Sequence, residues 1–512
     1  MTDGKMLIEE LLQYAKCFLY LSELDEVYTR NLLLGEFGYD APSKDDINAK
    51  YISQMKLPDE LYGKLCEFAV ERGLCKPDDA DVYATYVFGI LTPKPSEVNL
   101  CMRNLREKMG AKAACEYLYN LSIKNNYVRK SAIDKNFGWE YADGDKKIEI
   151  TVNLSKPEKD NKDIKKLAEA NTSDKYPECV LCRENEGYRG ASLARARANL
   201  RLFEMTVGGQ RWFMQYSPYA YFYQHCILLS AQHSPMKITR DTVEKLFDFI
   251  EYVPHYFIGS NADLPIVGGS ILNHEHYQGG YYELPVHKAK IRRSFRHENY
   301  PDVEIGQVDW YNSVIRLSGF NRNTVCELAG AVIENWKQHS NPEVGIIADE
   351  NGVRHNTCTL AARFLPDNRY SLDIILRNNR ADEQYPDGIF HAHPEHHNIK
   401  KEGIGIIEAM GLFILPGRLE REFSDIADIM TGKVQYDKQA LSDPAHPLYA
   451  HRFMIEKLMS GAAVKDEEQA KRAIQAYVNK TCAAILGDTA VFKRDAEGVS
   501  AFNKFLLGLG IR

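Results

Sequence analysis

The sequence predicts an α+β protein in which a largely antiparallel sheet lies between two helical regions. Three patterns carry that expectation. Near the start, Ile8, Leu11, Leu12, Ala15 and Phe18 recur at helical spacing. In the middle, short alternating or apolar runs stand between turn residues at Arg211–Tyr216, His225–Ser230, Pro265–Leu272, Val344–Ala348 and Ser371–Arg377. Beyond Leu419 helical periodicity returns, most clearly over Glu467–Leu486.

Taken in order, residues 1–134 read as a helical region with no chemically distinctive side chain, and Asn99–Tyr119 within it is helix-prone. Ile148, Ile150, Val152 and Leu154 alternate and predict a strand. The charged stretch Ser155–Lys175, with Lys156, Lys159, Lys162, Lys165 and Lys166 among acidic residues, reads as a solvated helix or linker. Helices at Arg240–Tyr252 and Asn323–Gln338 separate some of the strands that follow. The expected division is 1–134, 135–300, 301–420 and 421–512, the two middle parts carrying the sheet.

A chain of 512 residues can bury ample core across two or three domains. A net charge of −7 and a pI near 6.1 argue against broad nucleic-acid binding or a basic membrane surface. The start, MTDGKMLIEELLQ, lacks the pattern of a secretory signal, and no apolar run is long enough to span a bilayer. Eleven scattered cysteines do not form a disulfide framework, so a reducing cytoplasm is the expected home.

The most informative segment is Asp263–Gly280, DLPIVGGSILNHEHYQGG. Were His274 to Gln278 extended, His274, His276 and Gln278 would share one face, with Glu275 and Tyr277 on the other. Imidazoles and an amide framed by two glycine pairs suit work on a phosphate, because glycines let backbone N–H groups approach the anion. One His-x-His pair decides little, since fifteen histidines give about 0.4 such pairs by chance. Two polar side chains beside a glycine-rich turn is the bland alternative.

The whole string resembles the signature of the class II galactose-1-phosphate uridylyltransferases of the histidine-triad superfamily, and the resemblance extends over about Tyr176–Leu419. It implies two histidine-triad-like halves, only one catalytic. It implies that His276 attacks a phosphorus and that Gln278 donates to a non-bridging oxygen. It places Gly268, Gly269 and Ser270 in a phosphate cradle, Asn261 near the nucleotide and Glu408 at the hexose. The implied reaction moves a uridylyl group from UDP-glucose to galactose 1-phosphate, without an organic cofactor, in a homodimer. A histidine-triad nucleotide hydrolase, a dinucleotide phosphorylase, or a catalytically dead zinc-braced binding protein are the alternatives.

A neutral imidazole can attack phosphorus directly, provided an acceptor holds its other ring nitrogen and fixes the tautomer. A neutral amide stabilises the growing charge without repelling the substrate. Cys179 and Cys182 form a C-x-x-C pair, and tetrahedral zinc needs two further ligands. By resemblance these are His233 and His274, which would make a closed structural site. Two reduced thiols in a turn remain the alternative. The string HAHPE at His391–Glu395 partly echoes HEHYQ, with Glu395 where the first copy has Gln278, and His396 and His397 enlarge that cluster. An anionic side chain there would repel a phosphate, which assigns the chemistry to the first copy. No counterpart for a second metal site's remaining histidine is evident near Arg377–Asn379, and His355 has no assigned role.

Overall fold

Among the described residues, fifteen strands and a larger set of helices are arranged around one long sheet. The computed structural model describes residues 3–155, 176–190, 192, 195–269, 271–461 and 464–512. Most of the expected linker Ser155–Lys175 lies outside them, as does Ser270.

The long sheet has ten strands and two matching sets of five. The first set, in sheet order, is Phe203–Val207, Gln210–Tyr216, Cys226–Ser230, His276–Gly280 and Phe257–Ser260. Asn356–Phe364, Tyr370–Asn378, Val314–Gly319, Glu304–Val308 and Ile291–Phe295 follow as the second. All pairings in it are antiparallel. Each set follows the same chain order: three strands, a helix (Arg240–Tyr252 or Arg322–Gln338), then two strands that enter the sheet in reversed order. The sets meet where Phe257–Ser260 pairs with Asn356–Phe364. Ile291–Phe295 begins the second set just before residue 300.

The register relates the two sets residue by residue. Gly259 faces Ala361 across the seam; Gly259 pairs onward with Gln278, and Ala361 with Asp373. On the far side Ile227 pairs with Gln278 and Arg316 with Asp373. Asp373 is therefore the counterpart of Gln278, and by period-two geometry Ser371 is that of His276. The HAHPE echo is not this counterpart. His391–Glu395 lies past the last strand of the long sheet, in a loop that enters a short 3-10 helix at Pro394–His396, where Pro394 has no N–H to give a sheet.

Helix Arg240–Tyr252 forms as its pattern predicts. Thr239 and Thr242 cap its start reciprocally, and Val243, Leu246, Phe247 and Ile250 bury one face on the sheet. On this same side the N-terminal helices join one continuous core with the first set of strands. The buried Arg201 ties them together by donating to the carbonyls of Gly89, Thr92 and Pro93. A second core covers the opposite side of the sheet. It includes a small sheet in which Lys146–Asn153 pairs with Phe137–Asp143 and, in parallel, with Leu412–Pro416, and it continues into the helices after Arg418.

Two expectations change and one is refined. Asn99–Tyr119 is not one helix but parts of two, Pro95–Met109 and Ala111–Lys124, broken where Gly110 takes φ +89. Pro265–Leu272 forms no strand among its described residues: Ile266 is left-handed, and the chain curls back until Gly268 bridges Ala262. Val344–Ala348 forms no strand: Val344 ends a 3-10 turn from Pro342, Gly345 is left-handed, and Ile346 bridges Asn341. Among the described residues no helix is long and apolar enough to cross a membrane.

Candidate functional site

The strand His276–Gly280 carries the central residues. Its alternation places His276 and Gln278 on the side away from helix Arg240–Tyr252, while Glu275 and Tyr277 face that helix. The latter two are fixed there. Tyr277 stacks on Trp212 at 5.1 Å and 15° and donates to Glu275 at 2.6 Å, and the buried Lys245 donates to Glu275 at 3.0 Å. A strand so held from behind presents the opposite side chains with little freedom.

His276 is buried, and its Nδ1 donates to the carbonyl of His274 at 2.8 Å. A carbonyl can only accept, so Nδ1 bears the proton and Nε2 carries the lone pair. Among the described residues no group hydrogen-bonds that Nε2. Burial keeps the His276 pKa below its ordinary value, against the opposing hydrogen bond to the His274 carbonyl, so the ring is neutral near pH 7.

The carbonyl that holds His276 belongs to a residue whose own ring joins a metal-ligand set. Donor atoms of Cys179, Cys182, His233 and His274 all lie within 4.8 Å of one another. Cys179 Sγ is 3.6 Å from Cys182 Sγ and 3.3 Å from His274 Nδ1, and Cys182 Sγ is 3.1 Å from His233 Nδ1. His274 Nε2 donates to the Ser230 carbonyl at 2.9 Å, which leaves Nδ1 unprotonated and aimed at the thiols. Spacings between about 3 and 4 Å are what four donors on a tetrahedral ion at 2.0–2.3 Å require, so the residues fit zinc. Burial pushes the Cys182 thiol up to about 12; a dication would reverse that.

Asn261 ends the neighbouring strand and brings in the far loop. Its Oδ1 accepts from the Ile406 N–H at 2.8 Å. A Cβ on Gly268 would strike the Ala262 carbonyl at 2.4 Å, so that glycine is required by close approach, while one on Gly269 would stand 2.9 Å from Asn261 Nδ2 and displace that side chain. Glu408, in the short helix Ile406–Ala409, meets Lys400 Nζ at 3.2 Å. Its Oε2 and Asn261 Oδ1 lie 3.7 and 3.0 Å from where a Cβ on Gly405 would sit. Two residues hold this loop from outside: His391 Nε2 accepts from the Ile404 N–H at 3.1 Å, and Arg377 donates to the Ile404 carbonyl at 2.9 Å. The structure thus brings Asn261, Gly268, Gly269 and Glu408 together beside the histidine strand.

The other histidines have separate partners. His393 and His396 each lie 3.5 Å from Asp488, and His397 Nε2 donates to the Ala392 carbonyl at 3.0 Å. His355 pairs with Asn379. Among the described residues, only the Cys179–Cys182–His233–His274 group is placed to share an ion. Sequence reasoning gave His391 a different role, and it missed Arg377, Lys400 and also His225, whose Nε2 lies 3.2 Å from Gln278 Oε1. His225 stands 53 positions before its partner, and only the strand register brings them together.

A neutral, buried imidazole with a free Nε2 next to a side-chain amide defines a site able to attack a phosphate ester and stabilise the charge that results. Comparisons with known proteins give the class a family. The model of the galactose-1-phosphate uridyl transferase N-terminal domain matches residues 63–235, and that of the C-terminal domain matches residues 248–441. A galactose-1-phosphate uridylyltransferase of Caldanaerobacter subterraneus subsp. tengcongensis is 42% identical, covering 100% of this chain and 99% of its own. Those of Fusobacterium nucleatum subsp. nucleatum and Bacillus subtilis are 40% and 39% identical; each match covers 99% of this chain, and 99% and 98% of the relatives' own. The chain belongs to the galactose-1-phosphate uridylyltransferase family. A crystal structure of yeast Ap4A phosphorylase Apa2 aligns at 9% identity and TM-score 0.31, covering 60% of this chain and 90% of that one; nothing further is built on so low a score.

Proposed function

We propose that this chain transfers a uridylyl group from UDP-glucose to galactose 1-phosphate by double displacement. In the first step His276 Nε2 forms a bond to the α-phosphorus, and the bond to the bridging oxygen breaks, releasing glucose 1-phosphate. In the second, a phosphate oxygen of galactose 1-phosphate attacks the same phosphorus, the N–P bond breaks, and UDP-galactose leaves. The Gln278 amide donates to a non-bridging oxygen in both transition states. Asn261, Gly268, Gly269 and Ser270 receive the nucleotide phosphates, and Glu408 accepts hydrogen bonds from hexose hydroxyls.

The observation that carries this reading is the tautomer of His276: its Nδ1–H is occupied by the His274 carbonyl, and its Nε2 lone pair is left free. The relatives' shared name supplies the substrates. Cys179, Cys182, His233 and His274 would hold one zinc, a closed structural clip that braces the strand at its start. All eleven cysteines are free thiols, which favours a reducing cytoplasm.

The test is intact-protein mass after mixing with UDP-glucose alone, followed by a galactose 1-phosphate chase. A uridylyl adduct that forms and is then discharged into UDP-galactose is the expected result. Turnover of nucleotide without an adduct would replace the reading with hydrolysis or phosphorolysis. Neither adduct nor turnover from folded protein would leave a binding protein.

A further inference from the structure

We infer that His225 is a positioning residue for the transfer: it sets the Gln278 amide so that its N–H₂ group, not its oxygen, faces the substrate phosphate. The inference rests on the role given to Gln278 above and extends it to a residue outside the motif.

His225 lies at the start of the strand Cys226–Ser230, next to the histidine strand, and is fully enclosed. Its ring is packed between Tyr221 at 5.1 Å and Phe222 at 4.6 Å. The Tyr221 backbone N–H points at Nδ1 at 3.5 Å, so Nδ1 is an acceptor. In a neutral imidazole the proton then sits on Nε2, which lies 3.2 Å from Gln278 Oε1. Burial pulls the His225 pKa down to about 4 against the opposing effect of Gln278, so the neutral form holds across the working range of pH.

An Nε2–H can only donate, and an amide nitrogen placed against it would set donor against donor. The amide oxygen is therefore locked toward His225, and both amide hydrogens turn the other way, onto the His276 side. A glutamine free to flip would present oxygen to an anionic phosphate for part of the time. His225 removes that state before substrate arrives. No covalent step passes through it.

The experiment is a double-mutant cycle on the full chain with UDP-glucose and galactose 1-phosphate, made from His225→Phe and Gln278→Ala. His225→Phe keeps a ring of similar size and removes the donor. We expect it to lower kcat about tenfold or more with KM for UDP-glucose changed less than about twofold, as loss of an orienting contact does. The double variant should be no slower than Gln278→Ala alone, because an absent amide needs no orientation. His225→Gln, which retains an N–H donor, should recover most of the loss. Full activity in His225→Phe beside a slow Gln278→Ala would overturn the inference, as would losses that multiply in the double variant. Near-native turnover in Gln278→Ala would instead overturn the role given to Gln278. Should His225→Phe not fold, His225→Leu takes its place, and a folded His225→Gln as slow as Gln278→Ala also counts against the inference.

Discussion

The two halves of the sheet share one topology and carry different side chains at the positions that matter for chemistry. In the first half, His276 and Gln278 project from the strand one in from the seam, and His225 stands behind the amide. In the second, the corresponding positions hold Ser371 and Asp373, and Arg316 stands where Ile227 does in the first. Arg316 grips Asp373 with two hydrogen bonds, 2.6 and 2.9 Å. The first half presents neutral groups with open valences, a free imidazole nitrogen and an amide, which can take an anion without prior rearrangement. The second half fills the same place with an internal ion pair that satisfies itself. Two arrangements of one backbone thus divide into a receptive face and a closed one, and the choice is made by charge.

The largest effect should come from His276→Ala. With the nucleophile gone, turnover should drop on the order of 10⁴-fold or more in a coupled UDP-galactose assay, and no adduct should appear by mass. Survival of near-wild-type turnover would end the assignment. Gln278→Ala should cost on the order of 10²-fold in kcat, the usual loss for one donor to a charged transition state. Gln278→Glu, which brings the second half's negative charge into the first, should be slower still.

Metal is next in size. Cys182→Ser, or exhaustive chelation, should remove about one zinc per chain by elemental analysis, lower the melting temperature and reduce kcat about tenfold or more, because His274 positions His276 through its carbonyl. A folded, zinc-free preparation with full activity would show the clip to be dispensable. In the second half the reading is stability rather than rate. Asp373→Asn leaves Arg316 buried without its anion and should lower unfolding free energy by about 3 kcal/mol or more, seen in denaturant melts, while the kcat of the folded protein stays native. Ser371→Ala should be the smallest change, within about twofold of wild type in kcat. A large loss there would mean that the second half takes part in the chemistry after all.

Much of the site was legible because it is contiguous. His274, His276 and Gln278 sit in one string, and a strand's period of two puts them on one face without tertiary information. The candidate metal group needed the family resemblance, since Cys179 and His274 are 95 positions apart. The residues that orient the site were not legible. His225 reaches Gln278 through strand register, and Arg377 and His391 act on the main chain of Ile404, a contact no side-chain pattern encodes. The repeat misled for a related reason. HAHPE matched letters, whereas the true counterpart, Ser371–Asp373, shares only a place in the ladder. Helices with clean periodicity, Arg240–Tyr252 above all, were placed correctly. Asn99–Tyr119 was not divided, because a single left-handed Gly110 outweighs good helical spacing on both sides.

The small three-stranded sheet has a consequence in time. Its parallel pair joins Lys146–Asn153 to Leu412–Pro416, partners about 260 positions apart, and Glu408 lies just before the later of the two strands. During synthesis at about 5–20 residues per second, the histidine strand would be available many seconds before the carboxylate loop that completes the site. A nascent chain therefore holds its imidazole well before the Glu408 loop can close beside it. The last strand to dock is the one that finishes the site.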